Sequence, residues 1–163
     1  MHVVWSENFN LGIRAIDAQH RRIVDYINEL SVAMNLPAPR RRASLTHVLD
    51  NVLNYTESHF SYEEAMLRQA GYPGLEEHHD AHEQFIRRLN GYIGRFAAGD
   101  ENIVEELRDT LAHWFINHIQ GEDVEYVDRV KTALPPCTQP AQPRPRNADA
   151  SGNDWKYLFG LDQ

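Results

Sequence analysis

An all-α, up-down-up-down antiparallel four-helix bundle is the fold class this 163-residue sequence predicts, and three observations carry the prediction. Apolar residues recur at helical spacing through four long segments. Glycine and proline breakers fall between those segments. The connections are short, so helices of about 20 to 30 residues have to pack antiparallel to their neighbours. An N-terminal arm precedes the bundle and a flexible Pro-rich C-terminal tail follows it, with residues 1–133 read as the bundle and 134–163 as the tail.

The arm, "VVWSENFNLGI", has no helical period and is expected to lie across the bundle, anchored by Trp5, Phe9 and Ile13. The first helix runs from about Ala15 to Met34, with His20, Ile23, Val24, Ile27, Leu30 and Met34 on one stripe, and Pro37 and Pro39 break it. The second, about Arg40 to Gln69, aligns Leu45, Val48, Leu49, Val52, Thr56, His59, Glu63 and Met66, and "AGYPG" ends it. The third, about Leu75 to Ala97, aligns His78, His82, Phe85, Leu89, Ile93 and Phe96 before "AAGD" closes it. The fourth, about Glu101 to Lys131, aligns Val104, Leu107, Leu111, Trp114, Phe115 and His118, and Pro135-Pro136 forbids continuation.

The tail is chemically distinct. From Leu134 to Asp154 it holds five of the eight prolines and almost no large apolar residue, a composition that cannot pack a core. "WKYLFGL" at 155–161 then supplies Trp155, Tyr157, Leu158 and Phe159, large apolar side chains that could dock into the groove of a protein partner or fold back on the bundle. Residues 132–163 carry three basic and three acidic groups, so the net charge of −8 resides in residues 1–131.

Composition excludes several function classes. With 42% hydrophobic and 25% charged residues the chain reads as one soluble domain with a sizeable core. The acidic balance disfavours nucleic acid, and the pairs and triplet Arg21-Arg22, Arg40-Arg41-Arg42 and Arg87-Arg88 are short and separated. No run approaches the roughly 18 apolar residues of a membrane helix, and no signal peptide opens the chain, so a cytoplasmic address is expected. The single cysteine, Cys137, excludes a disulfide framework and a thiolate-rich metal site. A metal site here must use histidine and carboxylate.

Each helix carries at least one histidine on its inward stripe: His20 on the first, His59 with Glu63 on the second, His78 with His82 on the third and His118 with Asp123 on the fourth. One such histidine is ordinarily a hydrogen-bonded core residue. Four helices aiming them at one interior are not independent accidents. The pairs four apart sit about 40° apart and one turn along the axis, within reach of one ion. His118 and Asp123, five apart, sit about 140° apart on an ideal helix, which requires a longer reach, a π-type turn or the helix end. Five imidazoles and two carboxylates exceed the needs of one zinc and suit two metals. The donor set is that of iron, manganese or zinc, and a buried Glu63 or Asp123 would find its charge compensated there.

Taken together, "IDAQH" (16–20), "HFSYEE" (59–64), "YPGLEEHHDAH" (72–82) and "WFINHIQGED" (114–123) resemble, in order and spacing, the four ligand-bearing stretches of the bacterial hemerythrins, oxygen-binding proteins with a non-haem di-iron centre; the resemblance covers residues 3 to about 131. It implies two iron ions with an oxo or hydroxo bridge, and dioxygen as the ligand. His78, His82 and His118 would hold the first iron and His20 with His59 the second. Glu63 and Asp123 would bridge them, leaving the second iron with an open position for dioxygen. Ile23, Trp114, Phe115 and Ile119 are candidates for apolar walls that exclude water and slow autoxidation. His79, His113, His47 and His2 fall outside the ligand spacing and are expected at the surface or behind the ligands. Tyr62, Tyr126 and Trp114 read as packing residues or hydrogen-bond donors rather than redox relays.

The expected function is oxygen storage, delivery or sensing by a protein that is not an enzyme. Alternatives are a sensor docking a partner through the tail, or a di-iron peroxidase or nitric-oxide-handling enzyme on the same scaffold. Ferritin-like oxidases need about four Glu and two His with Glu-x-x-His on two helices. This chain has one such spacing, Glu76 to His79, and it lies off the ligand stripe.

Overall fold

The structure, a computed structural model, describes residues 2–134. The expected linker and the aromatic peptide at 155–161 lie outside the described residues. A short 3₁₀ turn, Glu7–Phe9, precedes helices α1 (Arg14–Met34), α2 (Ala38–Ala70), α3 (Leu75–Ala97) and α4 (Ile103–His118). A π turn, Ile119–Asp123, joins α4 to α5 (Val124–Ala133), and the three form the bundle's fourth rod. Helices consecutive in sequence pack on each other, α4 returns to α1, and α5 lies against α2, which closes the ring of four expected from the apolar stripes.

Each connection is set by local chemistry. Pro37 caps α2, and Pro39 sits inside its first turn, where a backbone N–H has no helical partner to lose. Pro39 therefore starts the second helix instead of separating it from the first. Gly71, in the left-handed region at φ 62°, ends α2 with paired bonds from Gly71 N to Arg68 O (3.1 Å) and Tyr72 N to Leu67 O (3.0 Å). Gly99, at φ 105°, ends α3 in the same way, through Phe96 and Arg95. At the start of α1 no N-cap side chain serves; the Asp17 carboxylate instead accepts from Leu11 N (2.8 Å) and Gly12 N (3.0 Å).

The arm crosses the bundle as expected, though its anchors differ in depth. Val3, Phe9, Leu11 and Ile13 are buried, whereas Trp5 is half-buried, edge-on to Phe9 with the Arg21 guanidinium over its ring. Asn28 holds the arm from α1 by accepting from Val3 N and donating to Val3 O, both at 2.9 Å.

The core is continuous from Val3 through Ile16, Ile27, Leu30, Leu49, Met66, Leu89, Leu111 and Phe115 to Val130. Each such aliphatic side chain contributes about 1.5–3 kcal/mol by leaving water. Beside it, the buried Glu29 carboxylate meets Arg22 at 3.2 Å, and Arg22 lies over the Tyr26 ring at 4.1 Å. Burial raises Glu29 to about 7 against the pull of Arg22.

Candidate metal centre

All seven residues singled out by spacing, His20, His59, Glu63, His78, His82, His118 and Asp123, are buried, with exposures of 0 to 5%. They form one cluster. Four rods deliver them: α1 brings His20, α2 brings His59 and Glu63, α3 brings His78 and His82, and the fourth rod brings His118 and Asp123. Of the three ways to align His118 with Asp123, the chain adopts the π turn. One turn of i→i+5 backbone brings residue 123 back toward the azimuth of residue 118, and His118 Nε2 then lies 3.0 Å from Asp123 Oδ1.

Every histidine turns its Nε2 toward a carboxylate. Glu63 Oε2 lies 3.3 Å from His78 Nε2, 3.3 Å from His82 Nε2 and 3.8 Å from His59 Nε2. Asp123 Oδ2 lies 3.4 Å from His20 Nε2, and its Oδ1 lies 3.7 Å from His78 Nε2. The donor atoms fall into two sets that share Glu63: Glu63, His78, His82 and His118, and His20, His59 and Glu63, with the atoms of each set within 4.8 Å of one another.

The far ring nitrogens are held by residues that sequence reasoning did not single out. Gln19 Oε1 lies 2.8 Å from His59 Nδ1, Glu64 Oε1 lies 2.9 Å from His82 Nδ1, and Glu122 Oε2 lies 2.7 Å from His118 Nδ1. Tyr126 donates its hydroxyl to Glu63 Oε1. A signal was present: Gln19, Glu64 and Glu122 each adjoin a candidate ligand in the chain.

These contacts test whether a metal fits. With Nδ1–H engaged by an acceptor, the neutral imidazole presents only a lone pair at Nε2. His82 and His118 nonetheless bring those two nitrogens within 3.0 Å. Two facing lone pairs require a proton or a cation between them. His20 leaves both ring nitrogens without a hydrogen-bond partner, as do His59 at Nε2 and Asp123 at both oxygens. Buried polar atoms left unpaired cost about 1–3 kcal/mol each, and divalent ions would satisfy His20 Nε2, His59 Nε2 and the Asp123 oxygens. The residues fit a metal pair.

Without a metal the cluster is charged unequally. Burial holds His20 well below the ordinary histidine value, reinforced by the neighbouring His59, and burial pushes His59 down to about 4 despite Glu63. For His118, burial opposes charging but Asp123 and Glu122 outweigh it, raising the ring to about 10. Burial likewise opposes ionisation of Glu63, yet bonds from His78 and His82 hold it well below the usual carboxylate range. Asp123 goes the other way, to about 6, through burial and the charge of Glu63.

Among the candidate wall residues, Ile23, Phe115 and Ile119 are buried and Trp114 is half-buried. Phe115 stands edge-on to His20 at 5.2 Å, and Trp114 stacks flat on His118 at 4.4 Å. The remaining histidines, His2, His47, His79 and His113, are exposed, as is Glu76. His79 Nδ1 lies 3.0 Å from Glu64 Oε2, which links it indirectly to His82.

Comparison with known proteins places this arrangement. Residues 11–130 match the family model described as the hemerythrin HHE cation binding domain. The chain is similar to a bacteriohemerythrin of Stenotrophomonas maltophilia, 46% identical over 132 residues, covering 81% of this chain and 84% of that one. It is also similar to a bacteriohemerythrin of Pseudomonas aeruginosa, 41% identical over 133 residues, covering 82% and 84%, and to a myohemerythrin of Theromyzon tessulatum, 28% identical over 122 residues, covering 75% and 88%. A solved crystal structure of a point mutant superposes with a TM-score of 0.72 at 25% identity, covering 80% of this chain and 98% of the other.

Proposed function

Because the chain belongs to the hemerythrin HHE cation-binding family, we propose that its interior cluster holds two iron ions and binds dioxygen reversibly, for oxygen storage, delivery or sensing. The observation that carries the reading is the sharing of the Glu63 carboxylate between two histidine sets. His78, His82 and His118 would hold one iron, and His20 with His59 the other. Glu63 belongs to both sets, and Asp123 approaches His118 and His78 on one side and His20 on the other, so both carboxylates can bridge. The two-histidine side has one protein donor fewer. That is the side at which an external ligand can enter.

Two ferrous ions supply the electrons that a reversible dioxygen carrier needs. The chain's own residues do the rest. Gln19 and Glu64 fix the rings of His59 and His82 by their Nδ1 atoms, so that Nε2 faces inward, and the Glu122 charge lies beside His118 Nδ1. Tyr126 holds Glu63 in place. Phe115, edge-on to His20, is almost completely buried and with the buried Ile23 and Ile119 would keep water from the open side. The histidine-rich donor set carries only two buried carboxylates, which suits capture and release of oxygen better than its activation, and we read the protein as not an enzyme. Among the described residues no helix is long and apolar enough to cross a membrane, and a cytoplasmic address accords with that.

The test is an absorption spectrum of the dithionite-reduced protein under nitrogen, then in air, then under vacuum, with iron counted in the same sample. Two irons per chain and a visible band that develops in air and fades under vacuum are expected. One iron per chain, or a band that persists under vacuum, would overturn reversible binding at a paired centre.

A further inference from the structure

The two halves of the cluster are backed by different chemistry on the side that faces away from the interior. In the three-histidine half, His82 Nδ1 hydrogen-bonds the Glu64 carboxylate at 2.9 Å, while His118 Nδ1 lies 2.7 Å from the Glu122 carboxylate in an ion-pair contact that lacks hydrogen-bond alignment. Glu64 is itself held from outside, its second oxygen lying 3.0 Å from Nδ1 of the exposed His79. In the two-histidine half, His59 Nδ1 meets a neutral amide, the buried Gln19, at 2.8 Å, and His20 Nδ1 has no hydrogen-bond partner. Charge on the backing residues is confined to one side.

A carboxylate that accepts from Nδ1–H draws the proton toward itself and increases electron density at Nε2, so the ring becomes a stronger donor to a cation. A neutral amide orients the ring but polarises it less. An unpartnered Nδ1–H does neither. We propose that Glu64 is a positioning residue that, with the Glu122 charge beside His118, makes the three-histidine half the tighter metal position, filled first, while the Gln19-backed half is the weaker position, filled second. The proposal rests on the two-iron reading above and adds an order and a cause to it.

The two carboxylates are not equal. The Glu64 side chain is 15% exposed, whereas Glu122 is 50% exposed and its charge is screened by solvent. Glu64 therefore carries the larger share. The number of histidines alone would also favour the first half, so the test has to vary the backing residues while leaving the ligands in place.

The experiment titrates the metal-free full chain with cobalt(II) under nitrogen. It follows the visible absorption of bound cobalt and fixes affinities by competition with a chelator of known strength. Two steps are expected in the wild type; His118→Ala should remove the tight one, and His59→Ala the weak one. Glu64→Gln should weaken the tight step by about 10- to 100-fold, and Glu122→Gln by about 10-fold or less, with the weak step unmoved in both. Gln19→Glu should strengthen the weak step alone. Thermal unfolding of each metal-free variant checks that the bundle is intact, and Glu122, half exposed, provides a substitution the fold tolerates. A tight step unmoved in Glu64→Gln, or both steps moved equally, would overturn this inference and leave the paired centre standing. Uptake of fewer than two equivalents by the wild type would overturn both.

Discussion

Replacing Tyr126 with Phe isolates one hydrogen bond to a buried carboxylate. The Tyr126 ring is fully buried, edge-on to His78 at 5.7 Å and to Tyr72 at 6.2 Å, and its hydroxyl donates to Glu63 Oε1. Burial, with the charges of Asp123 and Glu63, keeps this hydroxyl protonated well above the ordinary tyrosine range, so it is a donor at any physiological pH. Phe keeps the ring and its contacts, and the change therefore removes the bond with little cavity. A hydrogen bond to a charged group contributes about 1.5–3 kcal/mol, and water cannot reach Glu63 to replace it. At about 2–4 °C per kcal/mol for a domain of this size, Tyr126→Phe should lower the melting temperature of the metal-free protein by roughly 3–12 °C. Tyr92→Phe serves as the control. Its hydroxyl bonds the exposed Glu106 at 3.2 Å and Thr110 at 3.1 Å, where water can substitute, and its loss should be about 0.5–1.5 kcal/mol. Urea and thermal unfolding followed by circular dichroism measure both, and a double-mutant cycle with Glu63→Gln assigns the energy to the pair. A loss in Tyr126→Phe no larger than in Tyr92→Phe would refute the reasoning.

Two further outcomes are expected. His118→Ala should remove the iron of the three-histidine half, leaving about one iron per chain. Ile119→Ala, 1% exposed in the wild type, should retain both irons, speed autoxidation and cost about 2–5 kcal/mol in stability; iron analysis and the rate of loss of the oxygenated spectrum distinguish the two. Glu29 makes a pH prediction. Its folded value of about 7 lies above its ordinary 4.5, so its contribution is fully present below pH 4.5 and is lost as pH rises through 7. Glu29→Gln keeps an acceptor for Arg22 without the ionisation. It should match the wild type at pH 4.5 and exceed it at pH 8 by on the order of 1–3 kcal/mol in urea unfolding; equal curves at pH 8 would count against it.

The four rods were legible because core burial imposes the helical period directly, and α3 begins and ends at the residues the pattern indicates, Leu75 and Ala97. The start of α2 was less so, since Pro39 breaks a helix only in its interior and here occupies the first turn. Spacing also brought seven side chains to one interior, but it left three ways to align His118 with Asp123. Periodicity records which residues face inward and not which carbonyl each amide bonds, so the π turn had to be seen. Gln19, Glu64 and Glu122 escaped notice for a related reason. Their partners lie on the outer edge of inward-pointing rings, a direction that no apolar stripe encodes.

The π turn also divides the fourth rod into two phases. Leu107, Leu111, Phe115 and His118 keep one register with the core, and Asp123, Tyr126 and Val130 keep another that depends on the extra residue between them. The ten residues of α5 are thus indexed to the site by a single slip in the hydrogen-bond ladder. One more residue inserted between Ile119 and Asp123 would turn the carboxylate, the Glu63-binding phenol and the Val130 anchor together by about 100°. The same insertion after Val130 would move none of them. Tolerance to length change along this rod therefore has a sharp edge, and it falls where two consecutive helices read as one.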